Sequence, residues 1–242
     1  MDSDARSHGF TGPPTFSVNA LHTRWLGRVT YQRGLEEQER LVAHHAAPGA
    51  QSSAVDTLLL LEHEPVYTIG RGGDKSSLVP GTGGGAGLPY PVVETNRGGQ
   101  ATFHGPGQLV GYAVLDLKKR GQDLHRHLRS LEGMVVEVCA HFGVRAGVRE
   151  GLTGVWVEDR KLASIGVGVR RWISMHGFGL NVCGSLEGFT HITPCGLAGV
   201  RMTSLEAEGA GNWSVEEVAG VADRKFREVF GVEQVAGRWG DA

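Results

Sequence analysis

The residues with the clearest chemical potential lie in one glycine-rich stretch, residues 97–108, which reads Arg-Gly-Gly-Gln-Ala-Thr-Phe-His-Gly-Pro-Gly-Gln. Its glycines let the backbone adopt conformations closed to other residues, and they let main-chain N–H groups approach a bound molecule. We interpret the stretch as a loop that forms the floor of an active site, held from below by a buried strand over residues 109–115. The alternative is an ordinary glycine-rich connection that happens to contain a histidine.

Known phosphate-binding motifs do not fit this stretch. The Gly-Lys-Ser/Thr end of a P-loop is missing, and Gly105-x-Gly107 leads into a strand where a dinucleotide fingerprint requires a helix. Nucleotide binding is therefore not the favoured function.

Three cysteines and one lysine are the remaining candidates for covalent chemistry. Cys195 lies in Ile192-Thr-Pro-Cys-Gly-Leu, a loop stiffened by proline and freed by glycine, and it is the thiol best placed for exposure. Cys139 lies beside the apolar stripe of a predicted helix and Cys183 just after a predicted strand, so both are expected to pack. Lys161 begins a strand, where most lysines are solvated. Residue types alone leave open whether Cys195 is reactive.

Two predicted strands are nearly bare on one face. Ala163, Ile165, Val167 and Val169 alternate with Ser164, Gly166 and Gly168, and Phe178, Leu180 and Val182 alternate with Gly177, Gly179 and Asn181. Neighbouring strands of this kind would leave a trough suited to a narrow apolar chain, since glycine in a strand often marks a ligand against the backbone. The alternative is that these glycines mark bulges or tight sheet packing.

Composition restricts the class of protein. The 242 residues carry 40% hydrophobic and 21% charged residues with a formal net charge of −2, which predicts one domain that does not bind nucleic acid. No stretch is long enough to span a membrane, and residues 1–14 lack signal-peptide features, so we expect a cytoplasmic protein. The cysteines lack disulfide and zinc spacing, and the pairs His44-His45 and His125-x-His127 are expected on solvent-facing helix surfaces, so no metal is predicted.

Periodicity predicts an alternation of strands and helices. After a disordered polar lead-in over residues 1–15, a strand is expected at 16–25, a helix at 30–47 and a buried strand at 56–61. A flexible excursion over residues 72–90 contains the glycine run 81–87, and a short strand follows at 92–94. Asp123 should cap a helix that ends at Gly143, a hairpin should turn at Asp159-Arg160, and Ser214-x-x-Glu217 should open a last helix closed by Gly231.

Several of these segments, taken together and in order, resemble the lipoyl(octanoyl) transferases. They are Arg97-Gly-Gly-Gln-Ala-Thr-Phe-His-Gly-Pro-Gly-Gln, Gly154-Val-Trp-Val with Lys161-Leu-Ala-Ser-Ile-Gly, His176-Gly-Phe-Gly-Leu-Asn-Val and Thr193-Pro-Cys-Gly-Leu, together with Glu62-His-Glu-Pro-Val-Tyr-Thr-Ile-Gly-Arg. The resemblance runs from about residue 21 to 230. The glycine-rich loop alone is shared in outline with biotin and lipoate ligases, whereas its combination with Cys195 is specific.

The resemblance implies a fold and an activity. The fold is an α/β catalytic domain over about residues 16–235, with a ligase-like core at 54–233 and a mixed, mostly antiparallel sheet flanked by helices, as in the biotin and lipoate protein ligases. The activity is transfer of an octanoyl group from octanoyl-acyl carrier protein, through a cysteine thioester, to a lysine of lipoyl domains. The acceptors would be the 2-oxoacid dehydrogenase complexes and the glycine cleavage H protein, and the enzyme would need no cofactor and act as a monomer.

The resemblance also assigns residues. Cys195 matches the family's acyl-thioester cysteine and Lys161 the lysine that activates it. The family's substrate-binding segments fall on Arg97, Gly98, Gly99, Gln100, Ala101, Thr102, Phe103 and His104, on Ser164, Ile165 and Gly166, and on Gly177, Phe178 and Gly179. His104 is expected to orient groups in the site or to bind substrate.

Two other functions are alternatives to octanoyl transfer. An ATP-dependent lipoate or biotin ligase would activate a free acid as an adenylate; it would keep a lysine but need no cysteine. A non-catalytic module that binds lipoyl domains or carrier proteins would have lost Cys195 or Lys161, and both are present. Cys195 is the residue that separates these functions.

Overall fold

The centre of the fold is a leucine-rich strand that is buried on both faces. The computed structural model describes residues 19–47, 54–73, 87–193 and 199–234. In the strand Asp56–His63, Leu58 and Leu60 join the main core, while Leu59 and Leu61 pack on the opposite face. Side chains alternate along a strand, so this continuous apolar run requires a layer of structure on each side.

The described residues form twelve strands and three α-helices. In chain order they are β1 (Asn19–Val29), α1 (Tyr31–Ala46), β2 (Asp56–His63), β3 (Val66–Ile69), β4 (Val92–Glu94), β5 (Ala101–His104), β6 (Gln108–Val114), α2 (Leu124–His141), β7 (Gly147–Arg149), β8 (Leu152–Val157), β9 (Arg160–Arg170), β10 (Ile173–Asn181), β11 (Arg201–Met202), α3 (Val215–Phe230) and β12 (Val232–Gln234). Short 3-10 helices cover Leu117–Arg120 and Glu187–His191.

The main sheet is mixed and mostly antiparallel, as predicted. Its strand order is β12-β1-β2-β6-β10-β9-β8-β7, and β11 pairs with β9. The pairings within the run from β2 to β7 are antiparallel, and β1 pairs in parallel with β2 and β12. A smaller sheet, β4-β3-β5, carries the glycine-rich stretch.

The helices lie on both faces of the main sheet and begin where the sequence predicts. Thr30, Asp123 and Ser214 cap α1, α2 and α3 through side-chain oxygens that accept backbone N–H groups, and Ser214 and Glu217 form the predicted capping box. Helices α2 and α3 pack against each other and the main core. Helix α1 packs against β6 and β10 on the opposite face.

Three predictions about local structure were wrong. The stretch 97–108 is not one loop, because Ala101–His104 forms β5, paired with β3. His45 and His127 do not face solvent; they are 8% and 4% exposed, since both lie on the buried sides of their helices. The first strand runs to Val29, beyond the predicted end at residue 25.

Some predictions fall on residues that the structure leaves undescribed. These are the lead-in 1–15, most of the excursion that contains the glycine run, and residues 194–198, which include Cys195. The extent of a single catalytic domain over 16–235 stays a prediction. Within the described ranges, no helix is long and apolar enough to cross a membrane.

Candidate active site

Lys161 is buried in the sheet, although lysines at strand ends are usually solvated. It lies in β9, is 1% exposed, and places its Nζ 5.2 Å from the centre of the Trp156 ring. An ammonium over an indole face gains electrostatic attraction that grows as water is removed. The aromatic ring therefore replaces part of the solvation that the buried ammonium has lost.

Gly154 makes the space that this lysine occupies. A Cβ at Gly154 would lie 2.7 Å from Cε of Lys161 and 2.6 Å from the carbonyl oxygen of Ala163, and the glycine has φ of 120°. No other residue type fits that conformation and that gap. The Gly-Val-Trp sequence thus supplies both the cavity and the aromatic wall for the lysine.

The chain returns to Lys161 after the segment that contains Cys195. Strand β11 pairs in parallel with β9, with Arg201 opposite Arg160 and Met202 opposite Lys161. The N–H of Thr203 donates to the carbonyl oxygen of Lys161 at 3.0 Å. The position of Cys195 itself lies outside the described residues.

Arg97 ties the glycine-rich stretch to the small sheet. It is 8% exposed, and its guanidinium donates to the hydroxyl and carbonyl oxygens of Thr68, at 2.8 Å and 2.7 Å from one nitrogen, and to Gly98 O. The N–H of Gly98 donates to Val167 O in β9 at 2.8 Å. Arg97 therefore fixes the loop against the small sheet, and Gly98 fixes it against the main sheet.

A pocket opens between this loop, β9 and β10. It is lined by Tyr31, Arg97, Gly99, Gln100, Ala101, Thr102, His104, Tyr112, Ser164, Ile165, Gly166, His176, Gly177, Phe178 and Gly179. Most of the predicted substrate-binding residues are thus brought together. Gly98 lines an adjoining pocket instead, and Phe103 packs in an aromatic cluster with Tyr67 and Phe189.

The glycines of β9 and β10 allow the loop backbone to pack closely on these strands, and they also leave room for the pocket. Gly166 and Gly177 are cross-strand partners. A Cβ on Gly166 would lie 2.9 Å from Gly98 O, and one on Gly168 would lie 3.1 Å from Asn96 O, because the loop crosses over this face. A Cβ on Gly179 would instead meet the end of the Gln108 side chain at 2.9 Å. The bare face is therefore partly covered by backbone, and the pocket occupies the remainder.

His104 is held by a chain of side-chain amide hydrogen bonds that begins at Asn181, the last residue of β10. Asn181 donates to Thr203 O and accepts from Gln108 Nε2, and Gln108 Nε2 also donates to Phe103 O. Gln108 Oε1 faces Nδ1 of His104 at 2.6 Å. Burial, reinforced by the nearby His63 and Arg97, lowers the pKa of His104 to about 3, so the imidazole is neutral.

Two further histidines are buried near the pocket: His176 lines it, and the ring centre of His63 lies 5.8 Å from that of His104. His63 Nε2 is 2.6 Å from the Tyr112 hydroxyl, and His176 Nε2 is 2.6 Å from Asn96 Oδ1. Burial lowers the pKa of each to about 4. Sequence reasoning did not select these histidines, Tyr31 or Tyr112 as site residues, although His63 and His176 lie inside segments that carried the family resemblance.

The other two cysteines, Cys139 and Cys183, lie in environments that disfavour a reactive thiolate. Cys139 is fully buried in the main core, and burial raises the pKa of its thiol to about 12. Cys183 is half-buried, and burial, followed by the nearby Glu206 and Glu62, raises its pKa. Neither environment favours a thiolate. No group of three or more His, Cys, Asp or Glu that could hold a metal occurs among the described residues.

Comparisons with known proteins decide the family. The lipoyl protein ligase A/B catalytic domain family matches residues 30–227. An octanoyltransferase of Geobacter metallireducens is 53% identical over 76% of this chain and 81% of its own length. One of Geotalea uraniireducens is 50% identical over 83% and 89%, and one of Solibacter usitatus 44% identical over 88% and 94%. The chain belongs to the octanoyltransferases.

Solved structures share the octanoyltransferase fold at much lower identity. A lipoate-protein ligase A bound with ATP superposes with a TM-score of 0.68 over 90% of both chains at 14% identity. A bipartite lipoate protein ligase from Thermoplasma acidophilum gives 0.65 over 90% and 88%, also at 14% identity. These likenesses show the biotin/lipoate ligase-like fold, as predicted, while the relatives at higher identity show that the chain is an octanoyl-transferring enzyme of lipoylation.

Proposed function

We propose that this octanoyltransferase takes the octanoyl group from octanoyl-acyl carrier protein, holds it as a thioester on Cys195 and passes it to a lysine of a lipoyl domain. The observation that carries the proposal is Lys161, a fully buried lysine in a cavity made by Gly154 and walled by Trp156. Burying an ammonium is costly, so a chain that builds a cavity for one has a use for its charge or its proton.

In the first half-reaction the thiolate of Cys195 attacks the carbonyl carbon of the octanoyl thioester. A new S–C bond forms, the bond to the carrier's sulfur breaks, and the carrier leaves as a thiolate that takes the proton of the Lys161 ammonium, which leaves Lys161 neutral. A free thiol is mostly protonated at neutral pH, and a neighbouring ammonium favours the thiolate, which is the role assigned to Lys161. One thioester replaces another, so the step needs little driving force.

In the second half-reaction the acceptor's lysine amine attacks the carbonyl carbon of the Cys195 thioester. An N–C bond forms, the S–C bond breaks and Cys195 leaves as a thiolate. The attacking amine must lose a proton, and Lys161 in its neutral form takes that proton as general base. The product is an amide on the acceptor, and the enzyme regains its thiolate and ammonium pair.

The pocket between the loop and β9–β10 is the site proposed for the octanoyl chain. Ile165 and Phe178 provide apolar surface, and Gly166, Gly177 and Gly179 leave backbone where side chains would fill the space. Arg97 is assigned to shaping the loop, since its guanidinium is bonded to Thr68. His104 is assigned to hydrogen bonding with the substrate, because its low pKa keeps it neutral.

The proposed acceptors are the lipoyl domains of 2-oxoacid dehydrogenase complexes and the glycine cleavage H protein. Support comes from the names of the relatives and from the Thermoplasma acidophilum ligase, which was studied with its E2 lipoyl domain. We propose further that the enzyme acts as a cytoplasmic monomer.

The test is the intact mass of the protein after mixing with octanoyl-acyl carrier protein and no acceptor. Wild type, Cys139→Ala and Cys183→Ala should each gain one octanoyl group, whereas Cys195→Ala should gain none and lose transfer to an apo lipoyl domain. Transfer by Cys195→Ala at the wild-type rate would rule out the covalent route. Transfer from free octanoate that requires ATP would instead identify an adenylating ligase.

A further inference from the structure

A basic surface lies around the start of α2, outside the pocket described above. Residues 117–130 contain five of the 24 Lys and Arg, with Asp123 as the single acidic residue, in a chain whose formal net charge is −2. Lys118, Lys119 and Arg126 are exposed. Within the described part of the chain, no carboxylate forms an ion pair with any of these three, whereas Arg120 pairs with Asp56 and Arg129 with Glu132.

This basic surface surrounds a cavity. The cavity lies between the 3-10 helix Leu117–Arg120, the first turns of α2 and the end of α3, and Lys119, Arg120, Arg126 and His127 line it. Negative groups nearby are Asp123, which caps α2, and Asp56, which pairs with Arg120. The balance of charge at the rim is positive.

The floor of the cavity holds polar atoms without partners. His127 is 4% exposed, and neither of its ring nitrogens has a hydrogen-bond partner among the described residues; the same is true of Arg120 Nε. Burial, followed by the nearby Arg120, lowers the pKa of His127 to about 4, so the imidazole is neutral. Buried polar atoms are costly unless they are hydrogen-bonded, and a carboxylate entering the cavity could accept from the His127 N–H and from Arg120.

The same helix end reaches the reaction pocket. Leu124, His125 and Leu128, on the opposite side of the first turns of α2, line a second pocket that shares Gly99, Gln100, Ile165 and Gly166 with the proposed acyl site. A macromolecule bound on the basic surface therefore lies about one helix width from the pocket that adjoins the proposed acyl site.

We propose that this basic surface is the docking site of the acidic carrier protein that delivers the acyl thioester, with a carboxylate side chain of the carrier inserted beside His127. This inference rests on the proposed function. The distance between the basic surface and the pocket favours the donor over the acceptor as the bound protein, because the thioester of a carrier protein lies at the end of a long flexible arm that can span one helix width. An acceptor lysine has only its own side chain and must be held directly over the pocket.

The experiment compares two substitutions at opposite ends of one helix. Arg126→Glu reverses a charge in the basic surface, and Arg145→Glu reverses an exposed charge beyond the other end of α2, whose last residue lies about 22 Å along the helix axis from Arg126. With octanoyl-carrier protein as donor, Arg126→Glu should raise KM about fivefold and weaken its dependence on salt, while Arg145→Glu should match wild type. With a small octanoyl thioester as donor, all three proteins should have equal activity.

The outcomes separate the inference from the proposed function. Equal KM for the carrier in Arg126→Glu and Arg145→Glu would overturn the docking site while leaving the transfer intact. A rise in KM for the lipoyl-domain acceptor, with the carrier unaffected, would also overturn it by assigning the surface to the acceptor. No transfer from either donor by wild type would instead refute the proposed function.

A second variant tests the floor of the cavity. His127→Leu keeps a buried side chain but removes both ring nitrogens, and it should raise KM for the carrier without changing activity on the small thioester. His127→Gln retains a donor and should recover part of the affinity. If His127→Leu used the carrier as well as wild type, the inserted carboxylate would be refuted.

Discussion

Lys161 and Trp156 are cross-strand partners in β9 and β8, and the lysine ammonium lies 5.2 Å from the centre of the indole ring. This pairing is one of the contacts that stabilise a lysine that is 1% exposed in the sheet. A desolvated cation–π contact contributes about 2 kcal/mol, which is enough to matter in a domain whose total stability is roughly 5–15 kcal/mol.

Replacing Trp156 should therefore slow the step that depends on Lys161, octanoyl loading, more than it lowers the stability of the fold. Trp156→Phe keeps an aromatic face and should load octanoyl at a rate near that of wild type. Trp156→Leu keeps apolar volume but lacks the aromatic ring whose electron density attracts the ammonium. Its single-turnover rate of octanoyl loading should fall about tenfold, equivalent to about 1.4 kcal/mol. Equal loading by the two variants, with equal urea midpoints, would show that the ring acts only as packing.

Lys161→Arg separates the two roles proposed for the lysine. The guanidinium keeps the positive charge that favours a thiolate, but it is effectively never deprotonated and cannot act as base. The variant should form the octanoyl adduct and then discharge it to an apo lipoyl domain far more slowly than wild type. Lys161→Ala should be slow in both steps. Rapid discharge by Lys161→Arg would make the lysine a source of charge only and direct attention to His104.

Alanine substitutions at Gly166 and Gly179 should have different effects, the first on stability and the second on the size of the pocket. Gly166→Ala must move the backbone at Gly98, which is hydrogen-bonded to Val167, so a loss of about 1–3 kcal/mol in the free energy of unfolding is expected. The Cβ of Gly179→Ala meets the end of the Gln108 side chain at 2.9 Å and His104 Cε1 at 3.6 Å, with no backbone atom among these contacts, so the variant should fold with a narrower pocket.

If the acyl chain runs past Gly179, the alanine variant should disfavour octanoyl relative to hexanoyl donors by about 0.8 kcal/mol for each methylene that it excludes. Gly133→Ala in α2, where an added Cβ meets nothing within 4 Å, is the control and should leave the ratio unchanged. An unchanged ratio in Gly179→Ala would place the chain elsewhere.

Buried neutral histidines predict a stability that falls in mild acid. His63, His127 and His176 have pKa values of about 4 in the folded protein against 6.5 for the unfolded chain, so the unfolded state binds more protons below pH 6.5. The stabilisation is therefore present above pH 6.5 and is lost as the pH falls towards 4. At pH 5 each histidine costs about 2 kcal/mol.

The measurement is the free energy of unfolding in urea at pH 7 and pH 5. His127→Leu should lose about 2 kcal/mol less than wild type across this interval, because it removes one of the titrating groups. The exposed His125 is the matched control, and His125→Leu should follow the wild-type slope. Parallel losses in His127→Leu and wild type would show that His127 has the same pKa in the folded and unfolded states.

Local signals predicted much of the fold because they act within a few residues. Asp123 and Ser214 mark the starts of their helices through side-chain oxygens that bond the next turn, and the leucines after Asp56 form a short apolar run typical of a buried strand. The start of β5 was missed because its burial comes from pairing with β3, about 35 residues earlier in the chain.

The site was predicted less completely, for the same reason. The glycines and Lys161 were found from their pattern and from the family resemblance, but the burial of Lys161 depends on Gly154 and Trp156 in the facing strand. His127 was placed in solvent because the end of α3, which covers it, lies about 100 residues further along the chain. A helical period shows that one face is buried without showing how wide that face is.

The amide chain behind His104 determines what kind of group the pocket can receive there. Thr203 O and Phe103 O can only accept hydrogen bonds, so they fix which end of Asn181 and of Gln108 is the nitrogen. Gln108 must then present its oxygen to His104, which puts the imidazole proton on Nδ1 and a lone pair on Nε2. His104 lines the pocket and therefore offers it an acceptor, which can bind the N–H, S–H or O–H of a bound molecule but not a carbonyl oxygen. The carbonyl groups of Thr203 and Phe103 impose that tautomer.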